Sequence, residues 1–242
     1  MKFVHILDIP FIHIDQKDFV TLLDKHVEEK QKAFVITANP EVVMKAKDEP
    51  GFNTIVNQAT YVVADGIGVV KAAKLLNQPL PGRVTGFDTM MKLLDVANRK
   101  QYKIYLLGAK KGTLHKAIDK IKADYPDIDI VGSHDGYFDW EQNSIAEEIK
   151  RTKPDLVFVA LGVPKQEKWI AEHFQHFEHG IFMGVGGSFD VLAGEVKRAP
   201  ETWQKLNLEW LYRLLKQPTR FRRMLALPRF VFHVLLQKIK GN

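Results

Sequence analysis

Six short apolar runs, each closed by glycine, aspartate or Asn-Pro and separated by longer amphipathic stretches, constrain this chain more than any other feature. Ala33–Ala38 ends at Asn39-Pro40, Tyr61–Ala64 at Asp65-Gly66, and Lys103–Leu107 at Gly108. Ile128–Val131 ends at Gly132, Asp155–Ala160 at Leu161-Gly162, and Gly180–Met183 at Gly184. Unbroken apolar runs of this length belong to strands buried on both faces, because a parallel strand carries helices above and below it. The stretches between them, such as Gly112–Asp124 and Asn143–Arg151, have a helical period. This alternation predicts an α/β fold, a Rossmann-like, mostly parallel sheet with helices on both faces. Ahead of it, Phe3–Ile14 reads as a small β-hairpin, followed by a helix with Asp15 as its N-cap.

The C-terminal segment breaks the pattern. Residues 196–242 hold 11 Lys/Arg against 2 Asp/Glu, a net of +9, while residues 1–195 hold 24 against 27, a net of −3. The overall charge of +6 is therefore a property of the tail. Trp203, Leu206, Trp210, Leu211, Leu214 and Leu215 fall on one face at helical spacing, Pro218 and Pro228 interrupt, and an apolar helix is expected over Phe230–Ile239. Apolar anchors among excess Arg and Lys suit a helix lying on an anionic membrane surface; the alternative is a helical hairpin packed on the body, though packing alone does not call for that charge. The expected division is a Rossmann-like domain over 1–195 and a basic helical appendage over 196–242.

Other classes drop out on simple grounds. With no cysteine, disulfides, thiolate nucleophiles and cysteine-held metals are excluded. No run reaches the roughly 18 apolar residues that span a bilayer, and the N-terminus lacks a signal-peptide pattern. Asp127-Ile-Asp129 has the letters of a metal-holding Asp-x-Asp, but it precedes a strand and so lies at the amino end of the sheet. His173, His176 and His179 have no partner set for a metal. No cofactor is expected.

Ligands of open parallel sheets bind beyond the carboxyl ends of the strands. Thr37 and Asn39 lie there, as do Asp65 and Gly66, Gly108, then Gly162, Lys165, Gln166 and Glu167, and finally Gly186 and Ser188. Gly108-Ala109-Lys110-Lys111-Gly112 joins a strand to a helix and could admit a diphosphate to the helix N-terminus. It matches neither the dinucleotide fingerprint nor a P-loop. Asp65 reads equally well as the N-cap of the next helix or as a general base taking a proton from a hydroxyl. Arg83, in a Pro/Gly-rich loop, has the chemistry of a phosphate clamp.

Several of these segments together resemble the WecG/TagA/CpsF family of bacterial glycosyltransferases. They are Thr37-Ala38-Asn39-Pro40-Glu41, Ala64–Val70, Leu161–Trp169, Gly184–Asp190, Lys197-Arg198-Ala199-Pro200 and Leu208–Arg213. The resemblance implies a metal-independent, inverting transfer of N-acetylmannosamine from its UDP conjugate to undecaprenyl-diphosphate-linked N-acetylglucosamine. The β-1,4 product would feed wall teichoic acid synthesis. It implies Asp65 as base, with Thr37, Asn39, Arg83 and Gln166 around donor and acceptor. Arg213, Arg220 and Arg223 become the arginines of an appendage that reaches the membrane and covers the site, at the inner face of the plasma membrane. Tyr137 and Asp190, near strand ends, are candidates for contacts to uracil or ribose. The same motifs fit another UDP-sugar, because epimers differ by few hydrogen bonds. A nucleic-acid-binding tail fits less well, since the arginines alternate with leucines at helical spacing. A homo-oligomer is neither required nor excluded.

Overall fold

The computed structural model describes residues 1–140, 144–206, 208–216 and 221–241, with the side chains of Lys205, Arg213, Arg222 and Arg223 excepted. The chain opens on an antiparallel hairpin, β1 (Phe3–Ile6) and β2 (Ile9–Ile12). Helix α1 (Gln16–Glu28) follows, and the Asp15 carboxylate accepts from the amides of Lys17 and Asp18, as the sequence leads one to expect. The alternating body then runs through β3 (Lys32–Ala38), α2 (Pro40–Asp48), α3 (Pro50–Gln58), β4 (Tyr61–Ala64), α4 (Ile67–Leu75) and α5 (Gly86–Lys100). It continues with β5 (Lys103–Gly108), α6 (Lys111–Asp124), β6 (Asp129–His134), α7 (Ser144–Thr152), β7 (Leu156–Ala160), α8 (Lys165–His173), β8 (Gly180–Gly184) and α9 (Ser188–Leu192). Asn143, the expected start of α7, lies outside the described residues.

The strands form one eight-stranded sheet in the order β1-β2-β4-β3-β8-β7-β5-β6. Every pairing is parallel except β1 with β2. Successive side chains of a strand face opposite ways, and here they feed two separate cores. Phe34 and Ile36 of β3 join Tyr105, Leu107, Val157 and Val159 under α2, α3, α4, α7 and α8. Ala33 and Val35 join Ile104, Leu106, Leu156 and Phe158 under α1, α5 and α6. The mostly parallel sheet with helices on both faces therefore stands.

The C-terminal segment departs from expectation in detail. It forms α10 (Glu201–Lys205), α11 (Glu209–Lys216), α12 (Phe221–Met224) and α13 (Ala226–Lys240). Because α10 ends before α11 begins, Trp203 and Leu206 do not share a helix with Trp210, Leu211, Leu214 and Leu215. The Trp203 ring instead meets Tyr212 edge-on at 5.7 Å. Pro228 does not interrupt a helix either. It sits in the first turn of α13, where a missing N–H has no intrahelical partner to lose. Pro218 lies outside the described residues.

Helix α13 seats on the body. Phe230 and Val234 are buried against the core under α2 and α4, and Arg229 forms a two-pronged ion pair with Asp48 at 3.0 Å. Gln237 bonds the Leu7 amide and the His5 carbonyl of the hairpin. The opposite face of α13 leaves Val231, Phe232, Leu235 and Ile239 exposed. Among the described residues, no helix is long and apolar enough to cross a membrane.

Candidate active site

The carboxyl ends of five neighbouring strands, β4, β3, β8, β7 and β5, stand side by side in the sheet. Their following loops are tied together by backbone bonds. The Asp65 amide donates to the Ala38 carbonyl at 3.0 Å, Val84 to Ala64 at 2.8 Å, Val185 to Val159 at 2.9 Å and Ala109 to Ala160 at 3.0 Å. Gly108 allows the last contact. Its φ is +124°, and a Cβ there would stand 2.4 Å from the Ala160 oxygen, so no side chain fits.

On the β3–β4 side, Asn39 caps α2 by accepting from the Val42 amide at 3.1 Å, with Pro40 at the helix start. Asp65 follows β4 and is partly exposed. The N-cap position of α4 falls on Gly66 (φ +110°), one residue after Asp65. Thr37 lies within β3 against the first turn of α5; a Cβ on Gly86 would stand 3.0 Å from its hydroxyl oxygen. Arg83 reaches across to the appendage, its Nη1 lying 3.7 Å from a Glu209 carboxylate oxygen of α11.

On the β7–β8 side, Gly162 (φ +75°) turns the chain into α8. Lys165 is exposed, whereas Gln166 and Glu167 are buried. The Gln166 carboxamide accepts from the Gly186 amide at 3.0 Å and donates to Glu167 Oε1 at 2.8 Å. Glu167 Oε2 is buried without a partner. Burial pushes the Glu167 carboxyl up to about 7, against the pull of the Gln166 bond and with the negative field of Glu41 adding to the rise. Ser188 turns its hydroxyl to the Val185 carbonyl at 2.6 Å. Asp190 is partly exposed, and its carbonyl accepts from the amides of Glu195 and Val196.

Some candidate residues stand apart from this cluster or outside it. Tyr137 follows β6 at the sheet edge and is 74% exposed. Arg220 lies outside the described residues, as do the side chains of Arg213 and Arg223. Two residues that the sequence reading left off its candidate set prove connected to the site. Glu209 engages Arg83, and Arg198 pairs with Asp88 at 2.7 Å and lies 4.8 Å over the Phe87 ring at the start of α5. Both belong to recognised segments, which was the available signal. Asp129 begins β6, at the amino end of the sheet and away from the site. Among the described residues, no three His, Asp or Glu side chains are placed to share a metal ion. An open depression of about 360 Å³ lies beside the hairpin, lined by residues such as Ile12, Ile14 and Leu22.

A doubly covered parallel sheet with polar side chains and glycine turns gathered at its carboxyl ends has its ligand-binding crevice there. Residues 4–242 match the glycosyl transferase WecG/TagA/CpsF family, and the chain belongs to that family. Curated relatives include proteins of Bacillus subtilis (strain 168), 40% identical over 96% of this chain and 90% of the relative, and of Bacillus spizizenii, 40% identical over 94% and 88%. A protein of Staphylococcus aureus (strain MW2) is 42% identical over 86% and 81%. All three are named N-acetylglucosaminyldiphosphoundecaprenol N-acetyl-beta-D-mannosaminyltransferase.

Proposed function

We propose that this chain is an inverting hexosyltransferase that moves N-acetylmannosamine from UDP-N-acetylmannosamine to undecaprenyl-diphosphate-linked N-acetylglucosamine. The β-1,4 disaccharide formed would be an early intermediate of wall teichoic acid synthesis. One observation carries the reading. A carboxylate, Asp65, follows β4 at the sheet end that also presents Thr37, Asn39 and Gln166, in a chain 40% identical over 96% of its length to an enzyme named for this transfer.

In the reaction, the acceptor hydroxyl gives its proton to the Asp65 carboxylate as its oxygen attacks the sugar C1 from the face opposite the diphosphate. The C1–O bond breaks, and UDP leaves with the electron pair. Positive charge must meet the departing diphosphate. Arg83, the appendage arginines Arg213, Arg220 and Arg223, and the N-terminus of α6 after Gly108 are the groups suited to it. The donor set favours a reaction without a metal, because the only Asp-x-Asp of the chain lies at the wrong end of the sheet. In this reading Gly162, Lys165, Gly186, Ser188 and Asp190, after β7 and β8, are assigned to donor and acceptor, and Tyr137, at the sheet edge, to the uracil or ribose.

Residues 1–195 form the catalytic body in this reading, and 196–242 form an appendage that meets the inner face of the plasma membrane, where a polyprenyl acceptor resides. Exposed Leu206, Trp210, Leu215, Phe221 and Leu225, together with the bare face of α13, support it. These apolar groups are interleaved with the basic excess of the same segment. The test is transfer from UDP-N-acetylmannosamine to a lipid-diphosphate N-acetylglucosamine with EDTA present. Disaccharide product supports the reaction and its metal independence. No product from folded enzyme, with product from another UDP-sugar, would overturn the donor assignment.

A further inference from the structure

Gln166 and Glu167 form a buried polar pair at the start of α8, joined by a side-chain hydrogen bond. The Gln166 carboxamide lies against the end of β8, so close to Gly184 that a Cβ there would stand 2.5 Å from Nε2. Its two ends are fixed by partners of opposite character. The Gly186 N–H can only donate, so it requires the amide oxygen, and that bond measures 3.0 Å. Glu167 Oε1 accepts one N–H of Nε2 at 2.8 Å. A flipped amide would set the NH₂ group against the Gly186 N–H. The second N–H of Nε2 is left for an oxygen of a bound molecule.

Glu167 itself is 2% exposed, and its second oxygen is buried without a partner. Such a group costs stability wherever it stands, so its presence calls for a reason. Among the described residues, the side-chain hydrogen bond of its carboxylate is to Gln166.

We propose that Glu167 is a positioning residue, which locks the Gln166 carboxamide across the β7 and β8 loops with an N–H presented to substrate, and does not touch substrate itself. The inference rests on the reading of Gln166 as a site residue given above. Ionisation of Glu167 strengthens its grip on the amide, because a charged acceptor makes the shorter and stronger bond.

Two measurements separate this inference from the assigned reaction. The first needs no turnover. The Gln166 side-chain NH₂ signal, identified in ¹H–¹⁵N spectra by its loss in Gln166→Ala, should move between pH 6 and 8 in the wild type and stay still in Glu167→Gln. A signal insensitive to both pH and the substitution overturns the clamp.

The second is a double-mutant comparison in the transfer assay. Glu167→Leu should lower kcat roughly ten- to hundredfold through misplacement of Gln166, with KM little changed. Glu167→Gln, whose carbonyl accepts the same N–H, should recover most of that loss. Gln166→Ala/Glu167→Leu should be no slower than Gln166→Ala alone, since Glu167 acts only through its neighbour. Losses that multiply would show an independent role and overturn the proposal. Absence of transfer by the wild type would count against the reaction, while the spectra still decide the clamp.

Discussion

Single positions of this protein carry opposed demands of stability and chemistry, and Glu167 shows it most clearly. Its carboxyl is raised from the ordinary 4.5 to about 7, chiefly by burial. The folded state therefore holds the proton longer than the unfolded chain does. The resulting penalty on stability is absent below about pH 4, grows as the pH rises from 4.5 to 7, and is complete above 7, at roughly 3 kcal/mol. Glu167→Gln should accordingly raise the melting temperature by several degrees at pH 8 and by little at pH 4, which thermal unfolding at the two pH values checks. Gly108 is a simpler case. With φ at +124° and the Ala160 carbonyl in the path of any Cβ, Gly108→Ala should cost about 2 kcal/mol or more in denaturant unfolding. A loss under about 0.5 kcal/mol would mean that the β5 and β7 loops separate easily.

Among the elements, α13 divides its two faces between different tasks. Phe230→Ala should cost about 3–5 kcal/mol, because the ring is wholly buried over α2 and α4. Arg229→Ala should cost at most about 1 kcal/mol, since its pair with Asp48 is half exposed on both sides and screened by water. Chemical unfolding of the two variants distinguishes a seated helix from a loosely attached one. The strands other than β6 and the Asp15-capped helix were legible in the sequence because each is specified locally, by an apolar run and a stop or by a cap within three residues; β6, expected as a buried run closed by Gly132, is a partly exposed edge strand that runs through Gly132 to His134. The tail was less legible. Helical spacing runs on from Trp203 to Leu215, but the break between α10 and α11 and the turn of Trp203 toward Tyr212 are set by contacts that no local period encodes. Pro228 was misread for a related reason, since a proline marks an interruption or a first turn depending on where the helix begins. Thr37, Asn39 and Gln166, expected at strand ends, do lie at the carboxyl ends of β3 and β7. That Gln166 is held by Glu167 and Gly186 could not be read, because the partners meet only after β7 and β8 pair.

At the scale of the whole molecule, charge and apolar exposure fall together. The body is mildly acidic, and the basic excess lies in the segment that also exposes Trp210, Leu215, Phe221, Phe232 and Ile239. The protein should sediment with vesicles containing anionic phosphatidylglycerol, and less so as salt rises past the range where surface charges are screened. Phe232→Ser/Leu235→Ser should weaken that binding severalfold without lowering the melting temperature, because both side chains are already exposed. Unchanged vesicle binding would move the membrane contact away from α13. The proposed sugar transfer at the carboxyl end of the sheet depends on Asp65 as its base. The most direct measurement is single-turnover transfer from UDP-N-acetylmannosamine by wild type and Asp65→Asn, each confirmed folded by its melting temperature. A loss of about 10²–10⁴-fold in the chemical step, with donor binding retained, is the expected result for removal of a general base. Asp65→Asn turning over within a fewfold of wild type would contradict the account and require another group to take the proton.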